Sequence, residues 1–151
     1  MSAIGAAPAY ANLATGIRNT NQLHVFFVNA SSQLVAYYAT GTGTIWTGPV
    51  IIASSFAPPG APLATGRQST NQLDVFAIGS DGALKAAFAL DGGAWNAPVN
   101  LSATNVAPTW SATTRTGGGV ATGRQGTDQL DAFFVGNNGI LQGMWVLGLG
   151  F

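Results

Sequence analysis

The chain contains no cysteine and no glutamate, and its only histidine is His24. Without cysteine there are no disulfides and no thiolate metal sites. A glycosidase would need an aspartate pair as its acid and base, and the aspartates that recur at matching positions, Asp74 and Asp131, belong to different repeats. A nucleophile elbow, a phosphate-binding loop and metal-ligand spacing are also missing. We therefore expect a protein that is not an enzyme and that uses no cofactor or metal.

Charge is scarce as well: 7% of the 151 residues are charged, five basic and five acidic. This balance, without any charge run, gives no electrostatic footprint for nucleic acid or an anionic membrane. No apolar stretch reaches the roughly 18 residues of a membrane span, and the first ten residues lack the basic start of a secretory signal. We expect a soluble protein without nucleic-acid partners or membrane insertion, and its compartment is not indicated.

What the sequence does contain is a repeat. ATGIRNTNQL from Ala14 returns as ATGRQSTNQL from Ala64 and as ATGRQGTDQL from Ala121. One unit of about fifty residues is thus written three times, and such periods indicate solenoids, propellers or arrays. Each unit is expected to bury its faces against copies of itself.

The unit consists of strand and turn signals. An apolar run follows the shared segment, and a second begins at Leu34, Leu84 and Leu141. Asp81-Gly82 and Asn138-Gly139 separate these runs and are typical of type I′ hairpin turns. The first two copies continue to Trp-x-x-Pro-Val, which starts a further strand with its proline at a sheet edge. With the segment before the first run as its own strand, each unit is predicted to be a four-stranded antiparallel meander.

The strands predicted as inner strands are Gln22–Val28, Gln72–Ile78 and Gln129–Val135. They are apolar on both faces, so both faces must be covered. In a β-propeller each four-stranded blade lies between its neighbours, and about 4–8 blades are typical. No 3.6-residue apolar period is sustained, which argues against helices. The predicted fold is all-β: a β-propeller of four-stranded antiparallel blades, about three of them in this chain.

The three blades divide one repeat domain, residues 1–151, at approximately 11–54, 61–104 and 118–151. The third copy stops near the position where Trp46 and Trp95 precede the last strand of the other copies, so we expect that blade to be completed by another segment or chain. Three blades cannot close a ring, and open ends invite association. We therefore expect closure by oligomerisation, with a dimer forming one six-bladed ring.

A family resemblance is carried by NQLDVFAIGSDGALKAAFALDGGAWNAPVNLS, which begins at Asn71. This string resembles the blade signature of bacterial propeller lectins, the PLL-like group of fucose-binding lectins, and the resemblance covers all three copies. It implies a multivalent, non-catalytic lectin that binds fucose-like monosaccharides in pockets between adjacent blades. The partners would be cell-surface or soluble glycans, bound through tryptophan or tyrosine faces and a few polar side chains.

The aromatic candidates differ from the family pattern. Where that pattern has His-x-Trp in the second run, this chain has VAYYAT, KAAFAL and QGMWVL, in which Tyr37, Tyr38 and Trp145 are candidates for a sugar platform. Trp46 and Trp95 precede an outer strand, where they either stack on a sugar's C–H face or cap the core of the blade.

The polar candidates are also open to two interpretations. Arg67 and Arg124 follow the shared glycine, while copy one has Ile17 there and Arg18 one position later. An arginine fork suits vicinal hydroxyls or a carboxylate, and equally suits a brace to the next blade. His24, Asp74 and Asp131 share one repeat position between apolar neighbours, where a hydrogen-bonded brace to a neighbouring strand is expected. The predicted ligand-binding residues are Arg18, Arg67, Arg124, Trp46, Trp95, Trp145 and Tyr37.

Two functions remain open at this point. A lectin whose weak sites combine by avidity is favoured by the aromatic and arginine side chains. A structural or protein-binding propeller module without sugar activity is favoured by the missing His-x-Trp.

Overall fold

The computed structural model describes residues 6–148, and eleven strands account for the regular structure in that range. Blade 1 consists of β1 (Ala14–Arg18), β2 (Gln22–Val28), β3 (Leu34–Thr40) and β4 (Thr47–Ala53). Blade 2 consists of β5 (Ala64–Gly66), β6 (Gln72–Ile78), β7 (Leu84–Leu90) and β8 (Val99–Asn100). Blade 3 consists of β9 (Val120–Arg124), β10 (Gln129–Val135) and β11 (Leu141–Leu147).

Within each blade the strands pair antiparallel in chain order, so each blade is a meander. The all-β propeller prediction is confirmed, with sheets of four, four and three strands. The ends of the predicted domain, residues 1–5 and 149–151, lie outside the described residues. Between residues 6 and 148 there is no helix that is long and apolar enough to cross a membrane.

The inner strands are β1, β5 and β9, which lie against one another. Thr65 Oγ1 donates a hydrogen bond to Thr15 O at 2.6 Å, and Thr122 Oγ1 donates one to Thr65 O at 2.6 Å. The strands predicted as inner have the predicted bounds but are the second strands of their blades. Their place was predicted wrongly because the longest apolar run marks the strand that is buried on both faces. The short inner strands instead carry threonine and glycine.

The hairpins after the second strands are not the predicted type I′ turns. In blade 2 the Gly82 N–H donates to Gly79 O at 3.0 Å, and the Gly79 N–H donates to Ala83 O at 2.9 Å. Gly82 has φ 72°, whereas Asp81 is not left-handed. This is a type I turn followed by a left-handed glycine. Asp81 Oδ1 stabilises it by accepting a hydrogen bond from the Ala83 N–H at 3.2 Å.

The core lies between blades rather than within them. We call the face of a blade that points to the next blade in chain order its forward face, and the opposite side its back face. Phe26 and Val28 on the forward face of blade 1 pack with Leu73 and Val75 on the back face of blade 2. The same arrangement recurs between blades 2 and 3, where the main contacts are made by Phe76, Ile78, Leu84, Leu130, Ala132 and Phe134.

Glycine in the inner strand makes this packing close. A Cβ atom at Gly16 would lie 2.6 Å from Leu73 Cδ1, and one at Gly66 would lie 2.5 Å from Leu130 Cδ1. The leucine of each following blade thus fills the space that a side chain would take. The repeated Ala-Thr-Gly is therefore a packing motif that sets the spacing between blades.

Candidate functional site

A pocket of about 470 Å³ opens between blades 1 and 2, within the size range of small-molecule sites. We call it the blade 1–2 pocket. Blade 1 contributes its polar side chains, and blade 2 contributes the loop that precedes β8. The lining residues used below are Arg18, Gln22, His24, Tyr38, Gly92, Gly93 and Trp95.

Strand register brings the blade 1 side chains together. Arg18, the last residue of β1, pairs with Gln22 at the start of β2. His24 pairs with Gly16 on one side and with Tyr38 on the other. Because residues at paired positions share a face, His24 and Tyr38 both point forward toward blade 2.

Aromatic rings form one wall of the pocket. The His24 ring stacks on Tyr38 at 5.2 Å between centroids and on Phe26 at 5.5 Å. Trp95 of blade 2 meets His24 edge-on at 6.1 Å and Phe26 edge-on at 5.5 Å. An isolated bridge between Ala89 and Trp95 holds the tryptophan at the end of its loop.

Arg18 joins the two blades across the pocket. Its guanidinium lies 5.6 Å from the centroid of Trp95, within the range of a cation–π contact. Its Nη2 also donates a hydrogen bond to the carbonyl oxygen of Gly93 in the same blade 2 loop. Arg18 is therefore a brace between blades and, at the same time, part of the pocket wall.

Two buried polar atoms of the pocket have no hydrogen-bond partner within residues 6–148. They are Arg18 Nε and His24 Nδ1. The other ring nitrogen, His24 Nε2, lies 2.9 Å from Gln22 Oε1. Buried polar groups are nearly always hydrogen-bonded, to protein or to water. The pair of unpartnered atoms therefore favours a polar molecule in this pocket.

His24 is neutral at neutral pH. Burial, followed by the positive charge of Arg18, lowers the pKa of His24 to about 4. We assign the proton to Nε2 because Gln22 Oε1 accepts it there, which leaves Nδ1 as a hydrogen-bond acceptor. With Arg18 Nε as a donor nearby, the pocket offers one donor and one acceptor, the combination that a hydroxyl group can use.

Blade 2 carries a different polar set at the same repeat positions. There Gln72 Nε2 donates to Asp74 Oδ1 at 2.6 Å and to Gln68 Oε1 at 3.0 Å. Burial raises the pKa of Asp74 to about 6, opposed by hydrogen bonds from Gln72 and the Gln68 backbone. The expected brace to a neighbouring strand is thus mainly a bond to Gln72 of the same strand.

Blade 3 repeats the arrangement of blade 2. Gln129 Nε2 donates to Gln125 Oε1 and to Asp131 Oδ1, both at 2.9 Å. Among the three blades described, blade 1 therefore stands apart with its arginine and histidine.

The two other predicted arginines lie elsewhere. Arg67 lines a separate depression with Ile17, Thr70, Asn71 and Asp91, and its Nε is buried without a partner among the described residues. Arg124 donates to the carbonyl oxygens of Gly126 and Thr127 in its own blade and so holds the loop before β10.

The remaining aromatic candidates also lie outside the blade 1–2 pocket. Tyr37 is buried on the back face of blade 1, stacked on Phe27 at 6.2 Å, and Trp46 packs against the same cluster. Trp145 lies on the forward face of blade 3 and is exposed. Of the predicted site residues, the structure thus brings together Arg18 and Trp95, with Tyr38 beside them.

The sequence analysis did not select Gln22, His24 or the Gly93 carbonyl for the site. A signal was present: copy one departs from the other copies at two positions, Arg18 and His24, where they have glutamine and aspartate. The described residues contain no group of three or more His, Cys, Asp or Glu side chains that could hold a metal ion. The arrangement is suited to binding a small polyhydroxyl molecule.

The chain is similar to the BP39L lectin from Burkholderia pseudomallei, whose crystal structure superposes with a TM-score of 0.89 and 35% sequence identity. The match covers 100% of this chain and 42% of that protein, so the chain spans less than half the length of this relative. A mutant of AofleA from Arthrobotrys oligospora matches at a TM-score of 0.39 and 8% identity over 96% of this chain and 62% of that one, which carries no argument. No protein-family model and no curated protein matches the chain.

Proposed function

We propose that the chain is a non-catalytic, carbohydrate-binding lectin and that the blade 1–2 pocket is a sugar site. The observation that carries the proposal is the convergence of Trp95 with two unpartnered polar atoms, Arg18 Nε and His24 Nδ1. The 35% identity to a lectin over the whole of this chain supports the same conclusion.

The chemistry of the pocket favours a neutral monosaccharide. A pyranose has an apolar C–H face and several hydroxyl groups, and it needs an aromatic ring beside a few polar groups. Trp95 and Tyr38 supply rings, while Arg18 and neutral His24 supply a donor and an acceptor. We propose a fucose-like sugar, because its methyl group adds apolar surface that suits this aromatic wall.

The pocket has no carboxylate among its lining residues between positions 6 and 148. Glycoside hydrolysis ordinarily needs a pair of carboxyl groups that flank the bond to be broken. The proposed role is therefore binding without cleavage.

We also propose that two chains close one six-bladed ring. The support is the apolar forward face of blade 3, which leaves Leu141, Trp145 and Leu147 exposed. Large exposed apolar patches mark interaction surfaces. A dimer would double the number of sugar sites and allow avidity on a glycan surface.

The test is a glycan array followed by calorimetric titration of L-fucose and of any other sugar that binds. The variant R18Q/H24D replaces the blade 1 pair with the residues of the other blades, so the fold should be retained. We expect it to weaken sugar binding at least tenfold, whereas R115Q, which removes an exposed arginine outside the pocket, should leave affinity unchanged.

Two results would count against this function. Wild-type protein that binds no glycan on the array, with its fold verified, would favour the protein-binding propeller module. Equal affinities for wild type and R18Q/H24D would place the sugar outside the blade 1–2 pocket.

A further inference from the structure

We propose that a second type of sugar site lies across the boundary between two chains, where Trp46 of one copy meets Asp131 and Trp145 of the other. The inference rests on the proposed lectin function. It commits to a second copy of this chain as the occupant of the exposed face of blade 3.

The first argument comes from the forward faces. Phe26 of blade 1 and Phe76 of blade 2 are covered by the following blade and are 0% and 1% exposed. Their counterpart in blade 3, Phe133, is 39% exposed, and its neighbour Val135 is 51% exposed. The forward face of blade 3 thus presents the half-interface that blades 1 and 2 bury.

The second argument comes from the back faces. Leu73 and Leu130, which fill the space beside the preceding blade's inner strand, are 1% and 2% exposed. Their counterpart in blade 1, Leu23, is 41% exposed. Blade 1 therefore presents the other half of the same interface.

The two open halves fit each other at the glycine position. Gly16 accommodates Leu73, and Gly66 accommodates Leu130. At Gly123, the third copy of that glycine, nothing lies within 4 Å of an added Cβ atom. The internal packing rule places Leu23 of a second copy in this space. Burying the two faces against each other follows a contact that the chain already makes twice.

Charge does not oppose this contact. On the forward face of blade 3 the charged strand residue is Asp131, whose counterpart Asp74 is fully buried between blades 2 and 3. The back face of blade 1 is formed by Leu23, Val25, Phe27, Val35 and Tyr37, which carry no charge. The contact therefore adds no pair of like charges.

The same rule specifies a site. In the blade 1–2 pocket, Tyr38 of one blade faces the loop and Trp95 of the next. At the chain boundary Trp145 takes the place of Tyr38, and Trp46 of the second copy takes the place of Trp95. The neighbouring polar side chains would be Gln129 and Asp131, which are hydrogen-bonded to each other.

This polar set indicates the ligand class. Asp131 is an acceptor for sugar hydroxyl groups, and it disfavours a carboxylate or sulfate on the ligand. We therefore expect a neutral monosaccharide between the two tryptophans, one of which neither chain can supply alone.

The experiment is a complementation test with Trp46→Ala and Trp145→Ala chains. Each homodimer should lose its boundary sites and keep its blade 1–2 pockets, which lowers the number of neutral sugars bound per dimer in calorimetric titration. A purified heterodimer of the two variants combines an intact Trp46 with an intact Trp145 at one boundary. We expect it to regain that site.

Assembly is measured separately by light scattering at micromolar concentration. Wild type should have twice the 15.3 kDa mass of the chain. Val135→Arg, on the exposed forward face, should be monomeric and folded, whereas Ser31→Arg, at a hairpin tip of blade 1, should remain dimeric. Monomeric wild type would overturn the inference and leave the blade 1–2 pocket untouched.

The outcomes separate the two proposals. Unchanged sugar stoichiometry in both tryptophan variants, or no recovery in the heterodimer, would overturn the shared site while sugar binding itself stands. A dimer that binds no sugar would refute the lectin function, and the shared site with it. A larger ring in which the variants still complement each other would support the shared site and overturn the dimer.

Discussion

Two buried titratable groups at the same repeat position are expected to act in opposite directions on the pH dependence of stability. Burial and then the charge of Arg18 lower the pKa of His24 from 6.5 to about 4. Burial raises the pKa of Asp74 from 3.8 to about 6, against the hydrogen bonds from Gln72 and the Gln68 backbone. Replacing either group alone should therefore reveal the effect of the other.

The signs follow from proton binding. Between pH 4 and 6.5 the unfolded chain holds a proton on His24 that the folded chain lacks, so this group makes the free energy of unfolding rise with pH. Between pH 3.8 and 6 the folded chain holds a proton on Asp74 that the unfolded chain lacks, so this group makes it fall. Each shift of about two pKa units corresponds to about 3 kcal/mol, and the two contributions nearly cancel.

Urea unfolding across this pH window tests the argument. Wild type should change little in its free energy of unfolding. Asp74→Asn should gain stability by about 3 kcal/mol as the pH rises, and His24→Asn should lose a similar amount. Equal slopes for the two variants would refute the assignment of buried neutral His24 and buried protonated Asp74.

The remaining predictions concern packing and the pocket. Gly66→Ala should lower the free energy of unfolding by about 1–3 kcal/mol in urea, because its methyl group would meet Leu130, whereas Gly119→Ala, in open space, should be neutral; equal effects would contradict the packing motif. Trp95→Ala should weaken sugar binding by about 1–3 kcal/mol in calorimetry. It should also lower the melting temperature, since the ring packs on Phe26. An unchanged affinity per folded protein would make Trp95 a brace only.

The blades were predictable because their second strands carry a strong signal. Apolar residues on both faces, bounded by turn residues, gave the bounds of β2, β6 and β10. The order of strands around the axis was not predictable in this way. It depends on the short strands β1, β5 and β9, whose packing rests on glycines that meet leucines from other blades.

The site was predictable only in part, for a reason of register. Tyr37 and Tyr38 are adjacent, and a shift of one residue moves a side chain to the opposite face. The pairing of Tyr38 with His24 puts Tyr38 on the forward face and Tyr37 on the back face. The sequence shows the alternation but not which face meets the next blade. Arg18 and Trp95 meet only because blades 1 and 2 stack.

The central claim is that a sugar binds between blades 1 and 2. A crystal structure of the chain with a bound monosaccharide tests it most directly. The account predicts the sugar's C–H face against Trp95, with its hydroxyl groups bonded to Arg18 Nε and His24 Nδ1. A sugar bound instead beside Arg67, with the blade 1–2 pocket holding only water, would contradict it.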